Sequence, residues 1–186
     1  MRITGGALRG RTLHAPDGAR IRPTSDKVRQ AIFNILAHGD LARELGGVRI
    51  ADLFAGTGAL GLEAISRGAA FCLFVDDNAQ SRALIRNNVE AFGLTGATKI
   101  WRRDATDLGP MSAGAGGPFD LVFLDPPYRK NLLAPALAAL RDGNWLAAGA
   151  LIVTESSEEE PAPEIDGFTL LDHRTYGDTR VTFLRG

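Results

Sequence analysis

Cysteine is almost absent from this chain: Cys72 is the only one in 186 residues. A disulfide within the chain is therefore impossible, which fits a reducing cytoplasm. Cys72 falls in the apolar run Phe71-Cys-Leu-Phe-Val75 and reads as a small core residue, not a nucleophile. Histidine is also scarce. His14, His38 and His173 stand far apart without metal-ligand spacing, so no metal site is expected. No apolar run approaches the ~20 residues that span a bilayer, so no membrane partner is expected. The opening Met1-Arg-Ile-Thr-Gly-Gly-Ala-Leu-Arg-Gly10 carries no apolar signal region, and no secretion is expected. Repeats and a second domain are missing too, so one domain over 1–186 is expected, as a monomer.

What is present is an ordinary globular composition, 45% hydrophobic and 23% charged, enough for a substantial core. The net charge of −1 hides an asymmetry. Residues 1–29 hold seven bases (Arg2, Arg9, Arg11, Arg20, Arg22, Lys27, Arg29) against Asp17 and Asp26, a balance of +5. The remainder has 14 bases and 20 acids, or −6. A basic arm on an acidic body suggests a polyanionic partner met through its phosphates. A merely solvated charged face would look the same by charge alone.

Residues 1–24 read as a basic hairpin or extended arm, with Pro16-Asp17-Gly18 as a turn. Arg22-Pro-Thr-Ser25 then opens a leading helix within 25–46, with Thr24 or Ser25 as N-cap. Val28, Ala31, Ile32, Ile35 and Leu36 form its apolar stripe, which places Lys27 and Arg29 on the outer face. From 47 onward strands and helices alternate. Strands are expected at 48–54, 71–75, 98–101, 119–124 and 150–154, and helices at 58–67, 79–92 and 132–140. A weak helical segment follows the third strand, and Met111–Pro118 reads as a flexible loop too glycine-rich to pack. After an acidic run, 155–164, two strands at 168–176 and 179–184 form a hairpin about Gly177-Asp178. This is an α/β pattern: a mostly parallel seven-stranded sheet, helices on both faces, and a C-terminal antiparallel hairpin.

The chemistry concentrates at the strand ends. Phe119-Asp-Leu-Val-Phe-Leu-Asp-Pro-Pro-Tyr128 is a strand stopped abruptly by two prolines. The resulting lip offers one carboxylate, backbone carbonyls and an aromatic ring, the set that a planar aromatic amine needs. Ala51-Asp-Leu-Phe-Ala-Gly-Thr-Gly-Ala-Leu-Gly61 is a strand, a Gly-x-Gly-x-x-Gly turn and a helix start, which aims backbone amides at a ligand. Asp52 beside that loop would repel a diphosphate, so an amino-acid-like tail suits it better. Asp76, Asp104 and Asp125 follow the next three strands. Four carboxylates at the carboxyl ends of parallel strands face one crevice, as a nucleoside-type site requires.

Asp52-Leu-Phe-Ala-Gly-Thr-Gly58 with Asp125-Pro-Pro-Tyr128 resembles the S-adenosylmethionine-dependent amino-methyltransferases. Met1–Arg11, Arg22-Pro-Thr-Ser-Asp-Lys-Val-Arg29, Phe33-Asn-Ile-Leu36, Gly58-Ala-Leu-Gly-Leu-Glu-Ala64 and Tyr176-Gly-Asp-Thr179 narrow the resemblance to the bacterial RsmD family. Those enzymes methylate N2 of a guanine in 16S ribosomal RNA, and the likeness runs nearly end to end. It implies a Rossmann-like class I methyltransferase fold and S-adenosyl-L-methionine as cofactor. The implied partner is 16S rRNA within a partly assembled 30S subunit. Asp52, Gly56 and Gly58 would hold the methionine end of the cofactor, Asp76 the ribose, and Asp104 with Ala105 the adenine. Asp125, Pro126, Pro127 and Tyr128 would hold the target base, and Arg9, Arg11, Arg22, Lys27 and Arg29 the RNA. Asp76 stands where relatives often have Glu, which leaves Asp77 as a rival for the ribose.

Three rival readings stay open on the residues. An adenine-N6 methyltransferase would share the Asp-Pro-Pro-Tyr motif. A dinucleotide oxidoreductase would share the glycine turn, although Asp52 counts against it. A non-catalytic RNA-binding protein would explain the arm but not the four acids. Carbon-5 pyrimidine methylation is disfavoured because Cys72 sits mid-strand.

Overall fold

The computed structural model describes residues 1–16 and 25–186. Seven strands form one sheet: β1 (Arg49–Leu53), β2 (Phe71–Val75), β3 (Thr98–Trp101), β4 (Phe119–Leu124), β5 (Leu146–Ser157), β6 (Thr169–Tyr176) and β7 (Thr179–Arg185). Their order is β3-β2-β1-β4-β5-β7-β6. The first five are mutually parallel, and β7 runs antiparallel to both β5 and β6. The mostly parallel sheet with a C-terminal antiparallel hairpin is as expected. Strand order reverses direction at β1 and β4, and the crevice beyond their carboxyl ends is where open α/β sheets bind ligands.

Four α-helices accompany the sheet among the described residues: α1 (Asp26–Ala37), α2 (Ala59–Ser66), α3 (Ala79–Ala91) and α4 (Leu133–Asp142). None is long and apolar enough to cross a membrane. The central strands are buried on both faces. Ile50, Phe74, Leu121, Phe123 and Val153 pack with α1, α2 and α3 in one core, and Leu53, Val75, Val122, Leu124 and Ile152 pack with α4 in the other. Alternation along the central strands thus sends successive apolar residues to opposite cores.

Ser25 caps α1, its hydroxyl accepting from the Val28 N–H at 3.1 Å. Thr24, the other candidate cap, lies outside the described residues, as do the expected turn at Asp17-Gly18 and Arg22. The inward stripe of α1 is Val28, Arg29, Ile32, Phe33 and Leu36. It is rotated from the expected stripe, because Arg29, Ile32, Phe33 and Leu36 themselves have i, i+3, i+4, i+7 spacing. Arg29 is consequently 0% exposed and not on the outer face. Its Nε donates to Glu63 Oε2 at 3.3 Å, and its Nη2 donates to Asp26 Oδ1 at 2.9 Å and to the Arg2 carbonyl.

The N-terminal arm is a hairpin, closed by the antiparallel bridge of Arg2 with Thr12. It packs down rather than standing off. Ile3 and Leu13 are buried in the core, and the Thr4 N–H and hydroxyl donate to Glu63 at 2.8 and 2.7 Å. The His14 N–H donates to Asn88 Oδ1 on α3 at 2.7 Å.

Two other expectations fail. Met111–Pro118 is packed, with Ala115 fully buried and the Met111 N–H donating to the Gly143 carbonyl at 2.9 Å. Its glycines are small because their neighbours are close: a Cβ on Gly117 would lie 2.7 Å from Met111 Sδ and 2.8 Å from the Phe119 ring. The weak helix expected after β3 is replaced by irregular backbone with a turn at 105–106, and the short 3-10 segment at Ala113–Ala115 falls inside the glycine-rich loop. In addition, β5 extends past residue 154 to Ser157, so the acidic run begins inside a strand.

Candidate active site

A cavity of about 880 Å³ opens at the carboxyl ends of β1, β2, β4 and β5. Asp52, Gly56, Asp76, Asp104, Asp125, Pro126, Pro127 and Tyr128 all line it, so the structure brings together the four acids and the Pro-Pro-Tyr lip. Asp77 lines it as well.

The glycine turn is built around two of these acids. Asp52 lies at the end of β1 and its Oδ2 accepts from the Gly61 N–H at 2.9 Å, near the start of α2. Its carboxyl is only 1% exposed, and burial pushes its pKa well above the usual carboxylate range; Asp125 and Asp76 add like-charge repulsion against the Gly61 hydrogen bond. Asp76 accepts from the Gly56 N–H and the Asn78 N–H, both at 2.9 Å, and so pins the turn to the end of β2. Burial raises its pKa, opposed by those two N–H donors and by Arg82.

Gly58 and Ala105 are absent from the residues lining the cavity. Gly58 sits at φ 76°, where a Cβ would lie 3.2 Å from the Phe74 ring, and its part is to shape the turn. Ala105 is buried in the core beside α4. Asp104 reaches the cavity while its Oδ1 accepts from the Thr106 N–H at 2.8 Å and the Thr106 hydroxyl at 2.7 Å. Gly61 lies directly on β2: a Cβ there would lie 2.5 Å from Cys72 Sγ. Cys72 is fully buried, and burial raises its thiol pKa, as suits a core residue.

At the end of β4, the Asp125 N–H reaches the Leu53 carbonyl at 3.5 Å, so the β1–β4 ladder runs to the lip itself. The hydroxyls of Tyr128 and Thr179 lie 2.9 Å apart in a hydrogen bond. That bond ties the lip to the β6–β7 turn, whose Tyr176, Gly177, Asp178 and Thr179 all line the cavity.

Three lining features escaped the sequence reading. Phe54 adopts φ 56°, a conformation that costs a bulky residue about 1–3 kcal/mol and concentrates at functional sites. Lys130 is the one cation among the described lining residues. Glu155 lines the cavity at 2% exposure. Its parity with Leu151 and Val153 was the available signal, hidden because the acidic residues after it made the strand look finished.

The expected RNA contacts separate. Arg9 and Lys27 are exposed. Arg11 is exposed but engaged, donating from Nη2 to the Ala91 carbonyl at 2.7 Å and lying over the Phe92 ring at 5.0 Å. Arg29 is buried, as described, and is removed from the RNA-facing set. Among the described residues no group of three or more His, Cys, Asp or Glu has the arrangement of a metal site.

The model of the family described as conserved hypothetical protein 95 matches residues 1–185. The Escherichia coli ribosomal RNA small subunit methyltransferase D is 40% identical over 168 residues, covering 89% of this chain and 79% of that one. YlbH of Bacillus subtilis is 35% identical over 186 residues, 100% of this chain and 98% of its own. The solved structure of Escherichia coli yhhF superposes with a TM-score of 0.83 at 32% identity, over 100% of this chain and 97% of that one. The chain belongs to the family described as conserved hypothetical protein 95, that of the ribosomal RNA small subunit methyltransferase D, or RsmD, proteins.

Proposed function

We propose that this protein transfers a methyl group from S-adenosylmethionine to the exocyclic N2 amine of a guanine in small-subunit ribosomal RNA. The observation that carries the reading is the convergence of Asp52, Asp76, Asp104, Asp125 and Tyr128 on one cavity at the carboxyl ends of parallel strands. The RsmD relative at 40% identity supports the ribosomal substrate.

The residues fit the cofactor. Asp52 is a buried carboxyl made costly by desolvation, and an ammonium in the cavity would favour its ionised form. Gly56 and Thr57 would present backbone to the amino-acid tail, Asp76 would meet the ribose hydroxyls, and Asp104 would meet the adenine. When bound, the cofactor supplies a methyl already activated on a sulfonium. This chain's residues therefore work mainly by position and electrostatics.

The guanine N2 lone pair is delocalised into the ring and is a poor nucleophile until oriented. Asp125 and the Pro126 carbonyl would accept its two hydrogens and aim the lone pair across the cavity. Tyr128 would stack on the base, its hydroxyl fixed by Thr179. An aspartate is a weak base, so proton loss to Asp125 accompanies or follows attack. The base must be unpaired or flipped out to enter.

The test is incubation with labelled S-adenosylmethionine and either 16S rRNA or partly assembled small subunits, followed by mass spectrometry of nucleosides. N2-methylguanosine is the expected product. N6-methyladenosine would move the enzyme to the adenine class, and no transfer to either RNA would overturn the reading.

A further inference from the structure

Asp125 has a second carboxylate beside it that the chemistry above leaves unused. β4 and β5 are parallel neighbours, paired Leu121 to Leu151 through Leu124 to Thr154. Asp125 directly follows the last pair, and that register continued by one residue would set it against Glu155, with strands about 4.8 Å apart. Glu155 is still inside β5, paired with Val181 of β7, so its pleat is fixed from the other side. The pleat also sets its direction. Leu151, Val153 and Val181 pack in the core that holds α1 and α2, as do Leu121 and Phe123 on β4 and Ile50 on β1. Two-residue periodicity assigns Glu155, Asp125 and Asp52 to that same face. Both carboxylates line the one cavity, and Glu155 is 2% exposed.

A carboxylate that lines a substrate cavity has acceptor sites enough to take a hydrogen bond from what fills it, whatever else it holds. The two purine amines differ in what stands beside them. Guanine places the N1–H donor next to its N2 amine, so its edge offers donors to two adjacent acceptors. Adenine places the N1 lone pair next to its N6 amine, and an acceptor oxygen there meets only repulsion. Flipped bases are read on this Watson–Crick edge.

We propose that Glu155 is the specificity residue of this site: it accepts the guanine N1–H while Asp125 accepts from N2, and it thereby excludes adenine. This rests on the amino-methyltransferase reading above and deepens it, naming what separates guanine from adenine where Asp-Pro-Pro-Tyr alone does not.

The test places 2-aminopurine at the methylated position of the ribosomal RNA substrate. That base keeps the N2 amine and turns N1 into an acceptor. For the unaltered protein, kcat/KM should fall at least about 100-fold relative to guanine, since a site built to pair a donor rejects an analogue lacking it. Glu155→Gln offers N1 either an oxygen or an N–H, so its discrimination should shrink to within about 10-fold. The ratio in the variant removes any difference in intrinsic amine reactivity between the two bases. Calorimetry with S-adenosylhomocysteine checks that the variant is folded, and the arm with unaltered protein decides by itself if it is not. Equal use of guanine and 2-aminopurine by the unaltered protein would overturn the proposal, as would undiminished discrimination in a folded Glu155→Gln. Methyl found on adenine, or on no RNA base, would instead overturn the underlying reading.

Discussion

Asp52 and Asp76 each serve two purposes, and the tension between them is measurable. Both hold the glycine turn through backbone N–H groups, and both line the cavity, at the cost of partial or complete burial. Burial raises both folded pKa values above the unfolded ones. A raised pKa contributes stability that is fully present below the unfolded value and is lost as pH rises through the folded value. The ligand-free protein is therefore taxed at neutral pH, and a bound ammonium relieves that tax. Asp52→Asn retains an acceptor for Gly61 without the charge. It should melt higher than the unaltered protein at pH 7.5 in the absence of ligand, with the gap closing at acid pH. It should also bind S-adenosylhomocysteine about 10- to 100-fold more weakly, as loss of a charged hydrogen bond implies. A variant less stable than the unaltered protein at pH 7.5 would show that the ionised carboxylate is favoured by the fold itself. At the lip, Asp125→Ala should abolish turnover while largely sparing S-adenosylhomocysteine affinity. Tyr128→Ala should be severe, whereas Tyr128→Phe keeps the ring and loses one hydrogen bond of about 0.5–1.5 kcal/mol, a loss of roughly tenfold or less in kcat/KM. Equal damage from Phe and Ala would remove stacking from the mechanism.

Among the elements, the first four parallel strands were the most legible, because short runs rich in apolar residues, separated by helical or glycine-rich stretches, admit few other readings. β2, β3 and β4 have the bounds expected of them, and β1 is shorter by one residue at each end. The strand-end acids were legible for the same reason. Less legible was anything decided by partners distant in sequence. β5 continues through Glu155 because β7 pairs with it from Leu151 to Ser157, which no local pattern announces. Arg29 looked solvent-facing because a charge on a helix usually is; Glu63, 34 residues away, makes its burial possible. The arm shows both sides of this. Arg29, Glu63, Thr4 and Arg67 form one polar knot between α1, the arm and α2. Breaking a buried pair by removing one partner costs about 3–5 kcal/mol, so Arg29→Ala should lower the melting temperature markedly. Arg9→Ala, at an exposed position, should leave melting unchanged, weaken RNA binding, and reduce the log–log salt slope by about one. Arg11→Ala should do some of each, since its guanidinium already holds Ala91 and Phe92. An unchanged salt slope in Arg9→Ala would take that residue out of the RNA contact.

For the molecule as a whole, the division of charge sets an order of events. The first 29 residues carry +5 and the remainder −6. The cavity concentrates the negative part: Asp52, Asp76, Asp77, Asp104, Asp125, Glu155 and Asp178 line it, with Lys130 the one cation among the described lining residues. On the function proposed above, an RNA strand drawn in by the exposed bases Arg9 and Lys27 would have to deliver a nucleotide, with its phosphates, to a rim of carboxylates. S-adenosylmethionine carries an ammonium, a carboxylate and a sulfonium, for a net charge of +1, whereas the demethylated product is neutral. At an effective dielectric constant of about 20 and a distance of about 10 Å, one unit charge changes the interaction with a phosphate by roughly 1–2 kcal/mol before screening. Salt at physiological strength reduces this, because the Debye length is then about 8 Å. RNA should therefore bind the protein a few-fold more tightly with a methyl donor in the cavity than with S-adenosylhomocysteine. By reciprocity, RNA should raise affinity for the donor by the same factor. Loss of the positive charge on transfer then weakens the hold on the product, which favours release. The measurement is RNA titration against protein loaded with S-adenosylhomocysteine or with sinefungin, an unreactive analogue that carries an added ammonium, at 50 and 300 mM salt. The sinefungin complex should bind more tightly at low salt, and the difference should shrink at high salt. Equal affinities at low salt would mean that the cavity charge does not reach the RNA, and cofactor and substrate would then bind in no preferred order.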